Sequence, residues 1–415
     1  MSQHVVVIGG GVIGVACAHY LTNQGRQVTV IDRGSIGGAC SHGNCGYISP
    51  SHVLPLTEPG IIGTALKSLF KKDAPFRVRP RLDFDLLKWF WNFARRCNYR
   101  DMVAAAPAIQ GLLLSSLKLY EELITGEALD CEWERAGLLC VYRSREKFNA
   151  FEPTNVLLRD QFNAGARRID ADELATFEPA LQSGMAGAWL HEEDEHLRPD
   201  KLMSEWRRVL TSRGVEFREN CAVTGFETSD RSARSIHTSE GELTADDFVV
   251  ALGAWSPMLQ DELGCRLPIQ PGKGYSITMA RPALAPQRPL IFPEKKVAIT
   301  PWPSGYRIGS TMEFAGYDTT LRPERLELLR RGAAQYLREP CGEPVLEDWY
   351  GWRPMTWDSV PIIDRSPRLE NVMIASGHNM LGISMATGTG RLVAELLTGQ
   401  TPHLDPQPYS VRRFG

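Results

Sequence analysis

The 415-residue sequence has no strong charge imbalance, no ordered cysteine pattern and no long apolar run. Its formal net charge of -3 provides no field that would attract nucleic acid, so we expect no nucleic-acid partner. The nine cysteines show neither CxxC pairs nor the spacing of metal ligands, which predicts free thiols in a reducing cytoplasm and no metal site. Apolar runs end well short of the roughly 20 residues that span a membrane. The absence of a secretory pattern at the N-terminus also favours the cytoplasm.

The composition is that of a folded globular protein, with 43% hydrophobic and 23% charged residues. A chain of 415 residues exceeds what one hydrophobic core usually holds, so two domains are expected. Apolar runs suited to buried strands alternate with helical patterns, and no repeat interrupts them. We therefore predict an α/β fold.

Residues 4–34 have the pattern of a strand, a glycine-rich turn, a helix and a second strand. In the turn, Gly9 allows a tight bend, Gly11 allows a pyrophosphate to approach the backbone, and Gly14 allows the helix to pack closely on the sheet. Asp32 ends the second strand, where a carboxylate would accept hydrogen bonds from an adenosine ribose. The N–H groups at the start of the helix would bind the phosphates. These features predict a Rossmann unit that binds a dinucleotide.

Two further features favour FAD over a nicotinamide cofactor. Arg33 follows Asp32 and would suit the 2′-phosphate of NADP, although a solvated charge is the alternative. Against NADP, a loop of small and polar residues, 37–46, follows the second strand directly. A C-terminal strand, a Gly377-His378 turn and a last helix are also present, and a simple nicotinamide dehydrogenase has no place for them.

Between the nucleotide-binding segments the pattern changes to amphipathic helices. Leu66–Phe70 and Phe84–Cys97 have helical spacing of apolar residues, and Met102–Ile124 forms one long helix or a pair. Residues 145–182 also have a mainly helical pattern, and a helix is expected over Arg322–Leu337.

We predict a Rossmann-like FAD-binding domain and a mixed α/β substrate, or cap, domain, each discontinuous in sequence. The FAD-binding domain is expected from 1–50, 151–266 and 350–415, and the cap domain from 51–150 and 267–349.

The sequence resembles the D-amino acid oxidase superfamily of FAD-dependent amine oxidoreductases, and within it the small subunits of bacterial D-amino acid dehydrogenases. The resemblance covers nearly the whole chain, and its motifs occur in the family's order. The segments that carry it are Val7–Gly14, Ser41–Pro50, Gly272–Ser276, Gly351–Thr356 and Gly377–Gly390.

The resemblance implies an extended FAD, held non-covalently, with its adenine end on the N-terminal unit. Val223 would contact the adenine side through its backbone, and the helix that starts at Gly382 would face the N1–C2 region of the flavin. A helix N-terminus stabilises the negative charge that a reduced flavin carries there. The cofactor-binding residues predicted in total are Gly9, Gly11, Val12, Ile13, Gly14, Asp32, Arg33, Ser41, His42, Asn44, Gly46, Ile48, Val223, Gly253, Trp255, Gly351, His378, Leu381, Gly382, Ile383 and Ser384.

Arg353 is the residue that we expect to bind the substrate. A planar guanidinium offers two parallel donors to a carboxylate and so orients an amino acid. A structural ion pair is the alternative, but the family's Gly-x-Arg-Pro motif implies a carboxylate-binding arginine at this position. Further catalytic candidates are Tyr275, His52 and Met312, each of which has a structural role as its alternative.

Two departures from the family pattern refine this expectation. Several oxidases of the superfamily have a tyrosine before an Ile-Thr-Pro segment, where this chain has Ala298. The small residue favours a dehydrogenase with a roomier pocket. Relatives that tether their flavin use a cysteine near the position of Gly351, which cannot form that bond.

The expected function is the FAD-dependent oxidative deamination of a D-amino acid, with electrons passed to a quinone or another carrier. One alternative is an oxidase that uses dioxygen and acts on glycine, sarcosine or a D-proline-type substrate. Another is a non-catalytic flavin subunit of an electron-transfer complex. The aromatic segment Phe84–Cys97 ends in basic residues, which suits either a core helix or a peripheral contact with the inner face of the cell membrane.

Overall fold

The computed structural model describes residues 3–63 and 74–415. Its strands are β1 (His4–Ile8), β2 (Gln27–Ile31), β3 (Tyr47–Ile48), β4 (Phe76–Val78), β5 (Leu138–Tyr142), β6 (Arg167–Asp170), β7 (Gly187–His191), β8 (Glu195–His196), β9 (Glu216–Arg218), β10 (Val223–Ser229), β11 (Ser232–Thr238), β12 (Gly241–Thr244), β13 (Asp247–Val250), β14 (Gln270–Met279), β15 (Leu290–Phe292), β16 (Val297–Trp302), β17 (Gly305–Phe314), β18 (Val345–Met355), β19 (Ile362–Arg365) and β20 (Val372–Ser376).

The helices within the described ranges are α1 (Val12–Asn23), α2 (Phe84–Arg96), α3 (Tyr99–Gly126), α4 (Arg145–Ala150), α5 (Glu152–Phe162), α6 (Ala171–Phe177), α7 (Pro199–Ser212), α8 (Gln260–Leu263), α9 (Pro323–Ala333) and α10 (Gly382–Thr398). Short 3-10 helices cover Gly253–Leu259, Gln407–Tyr409 and Val411–Phe414.

The Rossmann sheet has the strand order β19-β20-β13-β1-β2-β9. Strand β1 pairs in parallel with both β2 and β13, and β20 continues the parallel set, so only β19 runs antiparallel. Because both faces of these strands are covered, the four apolar residues from Val5 to Ile8 are all buried. Helices α1 and α10 pack against each other on one face, which brings the two ends of the chain together.

A second, larger sheet forms the other part of the protein. Its strand order is β18-β14-β17-β16-β15-β5-β7-β6, with β4 added beside β17. Helix α9 packs on β17 and β14, and fills the core together with residues such as Ile277, Ile308 and Leu329. A small antiparallel sheet, β10-β11-β12, and the short pair β3-β8 complete the described strands.

Sheet membership differs from the expected domain grouping in two places. Strands β6 and β7 lie in the large sheet, although 151–266 was grouped with the FAD-binding segments. Strand β18 starts at Val345 and also belongs to the large sheet. The apolar pattern of a strand does not reveal its partners, because pairing is decided by contacts that are remote in sequence. The domain boundaries themselves stay a prediction.

Helix assignments also differ in detail. Met102–Ile124 lies in the single helix α3, whereas residues 145–182 contain three helices and a strand. The helix expected over Arg322–Leu337 is α9, which ends earlier, at Ala333. The predicted helix Leu66–Phe70 lies outside the described residues.

Helix α3 is long and apolar enough, by length and composition, to cross a membrane, whereas the sequence analysis expected no such segment. Its buried side chains, among them Leu112, Leu113 and Tyr120, face α10 and the core of the Rossmann part. The tyrosine hydroxyl also donates to the carbonyl of Ile383 at 2.8 Å. One face of helix α3 is therefore packed against the rest of the protein.

Candidate FAD and substrate site

A cavity of about 560 Å³ opens at the carboxyl ends of the parallel strands β1, β2, β13 and β20 and extends under the large sheet. This edge is where open α/β sheets bind their ligands. The first residues of α1, the loop 33–45, the first residues of α10 and the end of β18 all contribute to its lining.

The glycines of the first turn have the roles that their spacing predicts. Gly9 has a φ of +114°, and a Cβ there would lie 2.5 Å from the carbonyl oxygen of Ala251. A Cβ at Gly14 would lie 1.9 Å from the carbonyl oxygen of Gly9, so only glycine allows α1 to pack this closely on the turn. At Gly11 the nearest atom would be the Oγ of Ser41, at 3.6 Å, which leaves the backbone open to the cavity.

Asp32 lines the cavity and is held by two backbone N–H groups. The amide of Gly10 donates to Oδ2 and the amide of Gly34 donates to Oδ1, each at 2.8 Å. Next to it, the guanidinium of Arg33 stacks over the indole of Trp255 at 4.0 Å. Arg33 therefore forms part of an aromatic wall, an arrangement that neither the phosphate-binding nor the solvated alternative anticipated.

The N-terminus of α10 points into the same cavity as that of α1. Neither helix has a capping side chain at its N-cap residue or an acidic residue in its first turn. In α1 the Val12 amide donates to the Ser41 hydroxyl at 3.0 Å, and the positive ends of both helices otherwise face the cavity. Ser384 anchors α10 by donating to the carbonyl of Tyr47 at 2.7 Å and accepting from the amide of Ser49 at 3.3 Å. His378 is buried and contacts the hydroxyl of Thr389 at 3.0 Å, and burial lowers its pKa to about 3.

Arg353 lies deep in the protein, and its accessible surface faces the cavity. One terminal nitrogen, Nη1, donates to the carbonyl of Thr311 at 2.7 Å, and no ion pair with a described carboxylate is present. The guanidinium fits because a Cβ at Gly274 would lie only 2.5 Å from Nη1. Burial lowers the pKa of Arg353 below its usual range. The site thus contains a cation whose partner must come from outside the described chain.

The carbonyl that holds Arg353 belongs to a strained bulge in β17. Ser310 has a φ of +109° and Thr311 a φ of +54°, both in the region that β-branched and bulky residues avoid. The pairing of β14 with β17 shifts register at this point, between Lys273 and Tyr275. The bulge turns the Thr311 carbonyl out of the ladder and toward the guanidinium of Arg353.

Tyr275 and Met312 differ in their relation to the cavity. Tyr275 lines it, and its hydroxyl donates to the buried carboxylate of Glu313 at 2.8 Å. Burial and that carboxylate raise the pKa of Tyr275. The Met312 sulfur lies 3.7 Å from Nη1 of Arg353 and does not line the cavity.

The backbone of the loop 41–45 is held by hydrogen bonds from the buried Arg307. Nη1 of Arg307 donates to the carbonyl oxygens of His42 and Asn44, at 2.8 and 2.6 Å, while Nε donates to Thr278 at 2.9 Å. Only 1% of Arg307 is exposed, so these bonds replace its hydration. Arg307 therefore fixes the backbone of the loop that borders the cavity.

Most of the predicted site residues meet at the cavity wall, and a few do not. His42 pairs with Glu347 at 2.9 Å, Val223 lies in the small β10-β11-β12 sheet, and Ile48 is in the core. Those that line the cavity are Gly9, Gly11, Val12, Ile13, Asp32, Arg33, Ser41, Asn44, His52, Gly253, Trp255, Tyr275, Gly351, Arg353, His378, Leu381, Gly382, Ile383 and Ser384, whereas Gly14, His42, Gly46, Ile48, Val223 and Met312 do not.

Trp349 is a large lining residue that was not predicted from the sequence. Its indole lies against Gly43 and Gly351, where a Cβ would come within 2.1 and 2.2 Å of the ring. Gly351 follows Trp349 by two residues in β18 and so lies on the same face of the strand, and this spacing is the signal that could have revealed an aromatic ring packed there. Gly351 carries no side chain and sits under that ring, consistent with a flavin that is not tethered there.

The chain matches the model of the DAO family, described as FAD dependent oxidoreductase, over residues 4–396. It is 32% identical to a D-amino acid dehydrogenase of Chromohalobacter salexigens, in an alignment that covers 99% of this chain and 100% of that one. A D-amino acid dehydrogenase of Paramagnetospirillum magneticum is 33% identical, with 99% and 98% covered.

Solved structures show the same fold at lower identity. The glycine oxidase of Geobacillus kaustophilus superposes with a TM-score of 0.80 at 20% identity, covering 99% of each chain. The L-proline dehydrogenase of P. horikoshii gives a TM-score of 0.75 at 21% identity, covering 100% of this chain and 98% of that one.

The cavity fits FAD, the cofactor of the matched family. Two uncapped helix N-termini face it, one beside the open backbone at Gly11 and one at Gly382, which suits a pyrophosphate and an electron-rich ring end. Asp32 lines the cavity just after β2, where it would accept hydrogen bonds from the ribose. The residues present would thus hold each part of the cofactor.

We predict that Gly14→Ala loses FAD, because the new methyl group overlaps the carbonyl oxygen of Gly9. Overpacking of this kind costs about 1–3 kcal/mol, and relief of the overlap would move the turn that carries the phosphates. The measurement is the flavin-to-protein absorbance ratio together with the free energy of unfolding in urea. Gly126→Ala is the matched control, because no atom lies within 4 Å of its Cβ position. Equal flavin content in the two variants would contradict the prediction.

Proposed function

This chain belongs to the DAO family of FAD-dependent oxidoreductases, and from that premise we propose that it oxidatively deaminates a D-amino acid. The electrons pass to a quinone or another carrier, so the enzyme is a dehydrogenase. The observation that carries the proposal is the unpaired Arg353 at the cavity wall. The names of the full-length relatives at 32% and 33% identity support the choice of a D-amino acid and of a dehydrogenase.

Arg353 binds the substrate carboxylate in this proposal. Because Nη1 is held by the Thr311 carbonyl, the guanidinium cannot rotate freely, and in this proposal its remaining N–H groups donate to the carboxylate. The carboxylate thereby fixes the position of Cα as well as the charge. Trp349 lines the same cavity as Arg353. FAD, when bound, supplies the acceptor for the two electrons and the hydrogen that leave Cα.

The substrate end of the cavity is bounded by small and apolar side chains. Ala298 and Ile291 line it next to Tyr275. A bulky aromatic residue at position 298 would fill space that Ala298 leaves open, so a substrate with a sizeable side chain is favoured over glycine. The product is an imine that hydrolyses to a 2-oxo acid and ammonia.

We predict that Arg353→Met weakens substrate binding by about 10- to 150-fold, because a hydrogen bond to a charged group contributes about 1.5–3 kcal/mol. Arg353→Lys keeps the charge but loses the paired donors, and its loss is expected to be intermediate. The measurement is the substrate concentration that half-saturates anaerobic bleaching of the flavin. Arg234→Met, on the exposed strand β11, is the control and should match the parent. Unchanged half-saturation in Arg353→Met would remove the observation on which the proposal rests.

The acceptor is tested by reoxidation of the bleached enzyme. We expect D-amino acids to bleach the flavin anaerobically and the bleached state to persist in air until a soluble quinone is added. Stopped-flow absorbance measures both reoxidation rates. Faster recovery with dioxygen than with quinone would identify an oxidase instead, and bleaching by L- but not D-amino acids would reverse the proposed stereochemistry.

The surface beside α2 supports delivery of electrons at a membrane. Helix α2 buries Trp89 and its neighbours in the core, yet Phe84, Leu87 and Trp91 form a second apolar stripe at i, i+3 and i+7 on its outer face. Phe84 is 85% exposed and Trp91 66% exposed, which is unusual for rings with no function at the surface. We propose that this outer stripe rests on an anionic bilayer that contains the quinone.

Charge complementarity favours that occupant. Lys88, Arg95, Arg96 and Arg100 lie on or just after α2, and none forms an ion pair with a described carboxylate. Each basic side chain near an anionic membrane contributes about 1 kcal/mol of attraction, so four would exceed thermal energy several-fold. The net charge of the whole chain, -3, would not produce this attraction by itself.

We predict that the double variant Leu87→Glu, Trp91→Glu no longer sediments with phosphatidylglycerol vesicles, whereas the parent does so at low salt. The substitutions remove apolar area that the bilayer would bury, and they add carboxylates that the anionic headgroups repel. Leu114→Glu, also an exposed leucine but on α3, is the control and should sediment like the parent. Parent protein that stays in solution with anionic vesicles at low salt would contradict the membrane proposal.

A further inference from the structure

A second polar group borders the cavity and has no part in the function described so far. The short pair β3-β8 sets Ile48 opposite Glu195 and Tyr47 opposite His196. This pairing brings the loop after β3, which carries Ser51 and His52, alongside Asp194 just before β8. His52 lines the cavity, and Asp194 lies directly behind it.

The contacts form a chain from the cavity to a fully buried carboxylate. Asp194 has no exposed surface and accepts the Ser51 amide at 3.1 Å and the Ser51 hydroxyl at 2.7 Å. Nδ1 of His52 lies 3.5 Å from the Ser51 oxygen and 3.9 Å from Oδ2 of Asp194. Within the described ranges Asp194 pairs with no lysine or arginine. His52 is therefore the basic group that this carboxylate meets.

A buried carboxylate without a fixed cation is costly, which points to a use for it. Burial raises the pKa of Asp194 to about 7, while the hydrogen bonds from Ser51 act in the opposite direction. The other titratable groups that face this pair are the carboxyl of Glu195, the thiol of Cys140 and the imidazole of His191. None of them is a cation that would neutralise Asp194 permanently.

We propose that His52 accepts the proton of the substrate's ammonium group and that Asp194, with Ser51, positions the imidazole and stabilises its charged form. This inference rests on the proposed function, because it assigns a residue to the amine of the amino acid that Arg353 binds by its carboxylate. The N–H bond of the ammonium breaks, its electron pair stays on the substrate nitrogen, and a new N–H bond forms at Nε2 of His52. No oxidant or reductant takes part in this step.

The chemistry of amine oxidation requires such an acceptor. Cα can lose its hydrogen with the bonding electrons only if the neighbouring nitrogen has a free pair to form the imine, and an amino acid at neutral pH has an ammonium group instead. Burial lowers the pKa of His52 to about 4, so the ring is neutral and can accept a proton before substrate arrives. Nδ1 is the ring nitrogen nearest Ser51 and Asp194, so the tautomer that carries its hydrogen on Nδ1 would leave Nε2 as the acceptor.

The test compares the pH dependence of anaerobic flavin reduction in four variants of the FAD-loaded protein. In the parent, reduction is expected to gain rate as Asp194 ionises near neutral pH. His52→Asn should lower the rate of flavin reduction at pH 7.5 by about 10²- to 10⁴-fold. The remaining rate should rise only at alkaline pH, where the substrate amine is already deprotonated in solution. Asp194→Asn should lower it by about 10- to 100-fold, because Asp194 acts through His52. The matched controls are His237→Asn and Asp160→Asn, both on the surface.

A second measurement separates positioning from folding. NMR titration of labelled histidine should show the pKa of His52 falling further in Asp194→Asn, with the flavin content unchanged. Three outcomes would overturn the inference. The first is a parental pH profile in His52→Asn, and the second is a His52 pKa that is unchanged in Asp194→Asn. The third is a loss of rate confined to substrates with polar side chains. A parent that no amino acid bleaches would instead show failure of the proposed function, and the histidine titration then decides the Asp194–His52 coupling alone.

Discussion

The buried guanidinium of Arg353 is the constraint on which the site depends. A cation enclosed by protein without an anionic partner is unfavourable, and the structure accepts that cost at the wall of this cavity. Two features of the large sheet accommodate it. Gly274 has no side chain where the guanidinium lies, and the bulge at Ser310 and Thr311 adopts strained dihedral angles so that one carbonyl can hold Nη1. The carboxylate of a bound ligand would supply the negative charge that Arg353 lacks among the described residues.

The Rossmann part imposes a second condition on the same cavity. Its two uncapped helices, α1 and α10, end at one edge of the sheet and concentrate positive potential there. The large sheet then covers this edge from above, with Trp349 lying over the glycines of β18 and of the loop 41–45. Arg307 joins the two parts, because it lies in β17 of the large sheet and donates to carbonyls of the loop 41–45, which belongs to the Rossmann part. Cofactor and substrate ends are thereby fixed relative to each other.

What could be predicted from the sequence was whatever depends on neighbours along the chain. The turn at Gly9 and Gly14 and the position of Asp32 follow from spacing, since the strand, turn and helix are consecutive. Arg353 was predicted through the motif around it. Asp194 and Arg307 were not, because their importance arises from pairings of β3 with β8 and of β16 with β17 that no local pattern specifies. The same limit explains why sheet membership could not be predicted for β6 and β7, which lie in the large sheet although their segment was grouped with the FAD-binding ones.

In the proposed mechanism, the two polar groups at the cavity would together select an amino acid over simpler ligands. Arg353 presents a cation, and Asp194 presents an anion through His52, so the cavity is nearly neutral when both are charged. A zwitterion replaces the solvation that each group lost, whereas a simple carboxylic acid would leave Asp194 uncompensated and a simple amine would leave Arg353 uncompensated. Once the ammonium proton moves to His52, the imidazolium pairs with Asp194 and the substrate remains an anion bound to Arg353. Charge stays balanced at every stage, which is why removal of a proton from an enclosed substrate is possible in this site.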